Sequence, residues 1–249
     1  MDSDGQYGLH RVCMFANEKQ RIQFISAVRD YSFLLNKGYP EKPVNELVGN
    51  RYRLPSELRK ILYRGVLKRE EAEVNYARRT ELQSSGDGTP VLHIDGYNLL
   101  LTCLHYRLGK PMFIANDGFL RDVGGNHGRI QQEKLLFDVA EGLLRWCAAR
   151  LQTLFLIYLD APVSKSGRHA ERLREMGKEL GIRMEIELAK SADYLLKQQT
   201  AGFAVTSDSG IIPRLRIPVI DLARTFLEAE YSPRFFDLRG LLEMEGEKA

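Results

Sequence analysis

Apolar residues recur along this chain at two different spacings. The change falls near residues 84–90, where SSGDGTP gathers Ser, Gly, Asp and Pro, the residues of a turn or linker. Before that point the spacing is helical. Over 18–36, Ile22, Ile25, Val28, Ser32 and Leu35 fall on one face, and Gly38 followed by Pro40 supplies a stop. A second helix is predicted from Pro55 and Ser56, with Leu58, Ile61, Leu62 and Gly65 inward and Arg59, Lys60 and Arg64 on other faces. The run REEAEVNYARRTELQ predicts a third, mostly polar helix, a solvated arm between two parts of the chain.

After the break, short apolar runs alternate with helical stretches. VLHID (91–95), LFLIYLD (154–160), IRMEIEL (182–188), the run at 203–207 and IPVID (217–221) are too short for free-standing helices and rich in strand-forming residues. With helices between them they predict βαβ units and a mostly parallel sheet of about five strands. The expected architecture is α/β: a small all-α domain over 1–83, then an α/β domain over 90–249. The segment from Arg107 to Arg129 shows no clean period and is expected to be a long loop, either a substrate grip through Arg121 and Arg129 or a mobile flap.

The candidate chemistry lies where those runs end. Asp95, Asp160 and Asp208 close apolar runs, and Asp193 opens the helix that follows Ser191. Ligands of open α/β sheets bind at the carboxyl ends of the strands, so four acids converging there would form an anionic pocket. Carboxylates packed together resist joint ionisation unless a cation neutralises them. Oxygen donors suit Mg²⁺ or Mn²⁺, and Thr206, Ser207 and Ser209 add hydroxyls beside Asp208. Asn98, three residues after Asp95, could steady a phosphate or a water. Beyond Asp160, Lys165 and Arg168 flank a helix start that could cradle a phosphate. Each feature has a plainer reading: an acid in a first turn complements the helix dipole, and a Ser/Gly/Lys loop is a common turn.

Bulk properties narrow the field. An apolar fraction of 44% in 249 residues is enough for a packed core, and a net charge of +3 is too slight for a basic surface except by local clustering. The longest apolar runs fall well short of the roughly 18 residues of a membrane span, and the first residues lack a signal-peptide pattern, so a cytoplasmic protein with no membrane partner is expected. Cys13, Cys103 and Cys147 are spaced for neither zinc nor a disulfide framework and are expected as core thiols. No His shows zinc-ligand spacing, and His93 reads as a core residue. Clustering does occur between 51 and 69: Arg51, Arg53, Arg59, Lys60, Arg64, Lys68 and Arg69 against the single acid Glu57, with Tyr52 and Tyr63 interleaved. Such a stretch could follow a phosphate backbone, or be a solvated face balanced by Glu70, Glu71 and Glu73.

Three motifs in order carry a resemblance. IDGYNLL is similar to the opening D-x-x-N strand end of the PIN-like nucleases in their NYN branch, KSADYLL to its K-G-x-D helix start, and VTSDSGI to its S-G-D-S-D segment. The stretch 91–221 resembles that family in the order and spacing of all three. The resemblance implies a three-layer PIN-like fold and a metal-dependent ribonuclease. Asp95, Asp193 and Asp208 match the metal-binding acids, Asn98 the accompanying amide, and Asp160 the acid after the second strand. Gly210 stands where the pattern has a further aspartate; Asp138 and Glu141, on the helix that follows the 107–129 segment, could replace it or be residues of a solvated face. The expectation is therefore an Mg²⁺- or Mn²⁺-dependent nuclease acting on RNA. The alternatives are a catalytically silent nucleic-acid-binding or assembly protein on the same fold, or a small-molecule phosphatase; against the last stand the missing D-x-D, Walker and G-x-G-x-x-G signatures. Self-association is left open.

Overall fold

The computed structural model describes residues 14–81, 89–124, 130 and 132–246, the last three of these by backbone alone. Four helices come first: α1 (Glu18–Asn36), α2 (Glu41–Arg51), α3 (Ser56–Gly65) and α4 (Arg69–Arg78). The face of α1 is not the one its aliphatic residues suggest. Phe24, Ala27, Val28, Tyr31 and Leu35 are buried while Ile22 is 55% exposed, because the two aromatics bury more apolar surface than the isoleucine would. Helix α2 is absent from the sequence reading, in which Pro40 serves only as the stop of the helix before it. Pro40 precedes the helix and Pro43 sits in its first turn, whose N–H groups have no intrahelical acceptor to lose.

The polar arm splits in two. Its first part is α4, and Arg79–Thr80 leaves the helix in extended conformation as strand β1, pairing in parallel with Val219 and Ile220. Two residues carry no periodicity, so this edge strand is invisible in sequence.

The main sheet has six parallel strands in the order β1, β8 (Val219–Ile220), β7 (Phe203–Val205), β2 (Val91–Asp95), β5 (Leu154–Asp160), β6 (Met184–Ala189). Helices cover both faces, giving three layers. Leu92, Ile94, Phe155, Ile157 and Leu159 point to the face packed by α5 (Gly96–Arg107), α6 (Glu133–Arg150), α7 (Ser166–Glu179) and α9 (Leu222–Tyr231). Tyr158, Ala204 and Val219 point to the other face, with α8 (Ala192–Gln198) and a 3₁₀ turn at Ile212–Arg214. His93 and Asp95 alternate with Leu92 and Ile94 and so share this second face. His93 is a satisfied core residue, its Nδ1 2.9 Å from the Tyr158 hydroxyl and its Nε2 3.2 Å from the Ala201 carbonyl. Cys103 and Cys147 are buried free thiols, which burial pushes up in pKa; Cys13 lies outside the described residues.

The stretch expected as a long loop is partly regular. Met112–Ile114 (β3) and Leu120–Asp122 (β4) pair antiparallel around the turn Asn116-Asp117-Gly118, and Phe236–Asp237 (β9), just before α10 (Leu238–Gly246), joins β3 in parallel. Three-residue strands are too short to declare a period, but Asn-Asp-Gly between Phe-Ile-Ala and Phe-Leu is a hairpin turn signal. This second sheet ties the halves of the chain together. Phe113, Ala115, Val123 and Leu238 share one core with Phe24, Tyr31, Ile61 and Leu62 of the helical part. Gly65 makes the approach close: a Cβ there would stand 2.5 Å from Leu238 Cδ1 and 2.6 Å from Phe113 Cε2.

Candidate functional site

Strand order reverses beside β2: the chain moves outward from β2 to β5 and β6 on one side, then crosses back through α8 to β7 and β8 on the other. Such a switch point opens a crevice between neighbouring strand ends. Asp95 stands there, 6% exposed, and its Oδ1 accepts the Asn98 N–H at 3.1 Å, so it serves as the N-cap of α5. Gly96 lets α5 start this close to the sheet, since a Cβ would lie 2.6 Å from Leu159 Cδ2 and 2.8 Å from Ile157 Cγ2. Asn98 turns its carbonyl oxygen to the end of β7, accepting the Ser207 N–H at 2.9 Å and the Ser207 hydroxyl at 3.1 Å. Thr206 Oγ1 lies 3.5 Å from Asp95 Oδ2 and accepts the Asp208 N–H at 3.2 Å, while Asp208 Oδ1 accepts Gly210 N–H at 2.7 Å. Thr206 and Ser207 are therefore braces of the rim, whereas Asp208 is exposed.

The other two acids arrive from β5 and α8. Asp160 Oδ1 accepts the Ala192 N–H at 2.9 Å, which draws the start of α8 to the end of β5, and Ser191 Oγ caps the same helix through the Tyr194 N–H. Asp193 is thereby placed in the first turn. The four carboxylates stand close enough to oppose one another's charge. Burial first, then Asp193, Asp160 and Asp208, push the Asp95 carboxyl up to about 7, although the Asn98 N–H pulls the other way. Asp193 is raised by burial and by Asp208 and Asp160, with Lys197 opposing. Among the described residues none of the four makes an ion pair. Carboxylate, hydroxyl and amide oxygens are the donors hard divalent cations take, so the chemistry of the set fits Mg²⁺ or Mn²⁺. Its spacing is looser than a closed cage: among the described residues no three Asp, Glu, His or Cys side chains are disposed to hold an ion directly.

A cleft of about 760 Å³ runs from this rim to the helical part. Asn98, Ser207, Asp208 and Ser209 form its end, and Tyr63, Arg64 and Asn75 line it with the carboxylates Glu41, Glu70 and Glu71; of the four rim acids only Asp208 lines it. The structure gives different work to the cations expected to grip a substrate. Arg121 is 4% exposed, with its NH2 2.6 Å from Asp117 Oδ2 and its NH1 2.9 Å from Asp117 Oδ1; its Nε donates to the Ser207 carbonyl at 2.9 Å and its NH1 also reaches the Arg64 carbonyl at 3.4 Å. It is a clamp joining α3, the hairpin and the end of β7. Lys165 and Arg168 at the start of α7 are 2.7 and 3.3 Å from Glu133, whose carboxylate fills the place proposed for a phosphate and is held below the usual range chiefly by the Lys165 hydrogen bond. Arg129 lies outside the described residues. The proposed stand-ins for the acid missing at Gly210, Asp138 and Glu141, lie on α6; Glu141 is engaged with Arg145 at 2.7 Å.

Sequence reasoning missed two acidic positions. Asp117, fully buried, receives Arg121, the Asn75 amide at 2.9 Å and the Phe119 N–H at 3.3 Å. Asp221, at the end of β8, caps α9 through the Arg224 N–H at 3.1 Å and accepts the Leu120 N–H at 2.6 Å, and burial pushes it up to about 6. Asp221 ends the run IPVID, so its signal was the same as that of the rim acids; a cap inside the structure and an acid at a site look alike in sequence.

Residues 87–225 match the family described as Domain of unknown function (DUF5616). The chain belongs to that family. The DUF5616 match runs from just before β2 into α9 and so contains all four acids and both sheet-end braces, while residues 23–78, which hold most of the four helices, match a second family, Protein of unknown function (DUF434). The chain is also 30% identical over 203 residues to the uncharacterized protein MJ0935 of Methanocaldococcus jannaschii, an alignment covering 81% of this chain and 95% of that protein. No solved structure matches. Among the described residues no helix is long and apolar enough to cross a membrane.

Proposed function

We propose that this DUF5616 protein is a metal-dependent nuclease that hydrolyses phosphodiester bonds, with RNA as its substrate and the cytoplasm as its place of action. One observation carries the reading: Asp95 is buried at a strand-order switch point, faces three other carboxylates, and among the described residues has no cation beside it. A fold that only needed Asp95 as a helix cap would be better served by Asn or Ser, which cap as well without burying a charge. Asp95, Asp160, Asp193 and Asp208 would hold Mg²⁺ or Mn²⁺ through oxygen atoms and intervening waters, as Mg²⁺ in particular keeps part of its hydration. When bound, such an ion acidifies the attacking water and neutralises charge building on the phosphoryl group.

The chain's own residues divide the remaining work. Asn98 has its carbonyl oxygen committed to Ser207, which fixes the amide and leaves its NH₂ without a protein acceptor among the described residues, available to a phosphoryl oxygen. Thr206 and Ser207 hold the end of β7, so that Asp208 meets a strand lying in the cleft. The order and types of the three motifs that resemble the NYN branch support the same assignment. Cleavage of an unstructured RNA in Mg²⁺ or Mn²⁺ tests it: wild type should cut, and Asp95→Asn and Asp208→Asn, folded to the same Tm or higher, should lose at least about 10²-fold in rate. Equal rates in all three proteins would refute the proposal.

A second reading is favoured by the loose spacing of the acids and by Gly210: a protein that binds nucleic acid without cutting it. It expects salt-sensitive RNA binding indifferent to chelator, and no turnover.

A further inference from the structure

Beside the cleft lies a shallower cavity of about 420 Å³, lined by Asn45, Arg59, Lys60, Tyr63, Arg64 and Val123 together with Gly124. Its charge is of one sign. No carboxylate lines it among the described residues, and none of Arg59, Lys60 and Arg64 is ion-paired there. The two hollows share a wall, since Tyr63, Arg64 and Gly124 line both.

The three cations differ in freedom. Arg59 is fixed by its own region, its Nε donating to the Leu54 carbonyl at 2.8 Å and its NH1 to Asn50 Oδ1 at 3.0 Å, so its charge stays in place without being neutralised. Lys60 is exposed. Arg64 is half-buried, and its Nε is shut off from solvent with no hydrogen-bond partner. The rest of its guanidinium charge has no ion-pair partner among the described residues, and the side chain lines both hollows. Tyr63, one residue earlier on α3, is 40% exposed, an aromatic face at the junction of the two hollows. Beyond it the cleft leads to Asn98 and Asp208 at the sheet rim.

Cations spaced along a groove with an aromatic ring among them are how proteins hold a single nucleic-acid strand: charges track the backbone, and a ring stacks an unpaired base. A duplex hides its base faces, so Tyr63 could not stack on one. We propose that the α3 surface built from Lys60, Tyr63 and Arg64 is the grip for a single-stranded polynucleotide, which it feeds through the cleft to the acidic rim. The assignment rests on the nuclease reading in naming the ligand, because phosphodiester chemistry at the rim is what a strand held here would reach. It gives the helical part a function: α3 carries the grip, and the Arg64 carbonyl held by Arg121 fixes it relative to Asp208.

The test uses the full chain carrying Asp95→Asn, in EDTA, with a fluorescein-labelled unstructured RNA of about 20 nucleotides and the same sequence annealed as a duplex, read by anisotropy across a salt series. The expected result is preference for the single strand, with affinity falling as salt rises. Lys60→Glu should weaken binding about tenfold and flatten the logarithmic salt slope by roughly one or more, and Tyr63→Ala should weaken it about fivefold with the slope unchanged. Both residues are exposed, so neither variant threatens the fold, and circular dichroism melts serve as the control. Unchanged affinity in both variants, or equal affinity for duplex and single strand, would overturn the grip. Its fate is separable from that of the nuclease: loss of cutting in Asp95→Asn with intact binding in Lys60→Glu sinks the grip alone, whereas impaired binding in Lys60→Glu with no cutting by wild type sinks the nuclease alone.

Discussion

Asp95 and Asp117 are both buried aspartates within reach of the same strand end, and they are treated oppositely. Asp117 receives a two-pronged Arg121, the Asn75 amide and a backbone N–H, so both of its oxygens are occupied by donors. Asp95 receives one backbone N–H and a long contact from a hydroxyl, and its other charged neighbours are carboxylates. The first arrangement is complete as it stands. The second is complete only with a proton or a cation, and this difference is the ground of the proposal that Asp95 serves a ligand while Asp117 holds the molecule together.

The largest effect should come from breaking the complete member. Arg121→Met leaves Asp117 buried without its cation and frees the Ser207 carbonyl and the Arg64 carbonyl, so a loss of about 3–5 kcal/mol is expected in denaturant unfolding. Arg121→Met combined with Asp117→Asn should recover a good part of that loss, since the uncompensated charge goes with the partner. A single variant as stable as wild type would mean that the clamp does not join the helical part to β7, and the contrast with Asp95 would lose one side.

The incomplete member predicts the opposite sign. In the unfolded chain Asp95 should titrate near its ordinary value of 3.8, and in the folded protein it rises to about 7. Between those pH values the folded state holds the extra proton, so the stability this group supports is fully present below about 4 and is lost as pH rises through about 7. Without divalent ions, Asp95→Asn should therefore be more stable than wild type at pH 8, by an amount on the order of 2–4 kcal/mol, and should match it at pH 4. Asp221, pushed up to about 6, shifts both proteins alike and cancels in the comparison. Added Mg²⁺ or Mn²⁺ should raise the Tm of wild type at pH 8 and leave that of Asp95→Asn nearly unchanged. An Asp95→Asn protein less stable than wild type at pH 8 would show that the charge is compensated after all.

The same contrast explains what the sequence could and could not tell. Strands β2 and β5 were legible to the residue because both faces are buried and the apolar run is continuous, and the acids that end them were legible for the same reason. Whether an acid was compensated was not legible. Arg121 meets Asp117 four residues away across a tight turn and meets Ser207 from the other end of the chain, and only the pairing of β3 with β4 decides which contact its guanidinium makes. Helix α2 and strand β1 were hidden for a local reason, prolines tolerated in a first turn and a strand of two residues. The face of α1 was misjudged because Phe24 and Tyr31 outweigh Ile22 in buried surface.

The smallest predicted effect concerns the helix start that looks most like a phosphate cradle. Lys165 occupies a left-handed backbone conformation ahead of α7 with no acid in the helix's first turn, which reads as an open anion site. Glu133, arriving from α6, already supplies the anion: Lys165 Nζ lies 2.7 Å from its Oε2 and Arg168 Nε 3.3 Å from its Oε1. Both cations are thus already paired, as Arg121 is, but they are largely exposed, where screening makes each contact weak. Lys165→Ala should change the Tm by less than about 2 °C and leave RNA affinity within about twofold of wild type, as Arg168 still faces Glu133. A tenfold loss of affinity in Lys165→Ala, against no loss in Lys60→Glu, would move the strand from α3 to α7 and show that Glu133 yields its place to a phosphate when substrate arrives.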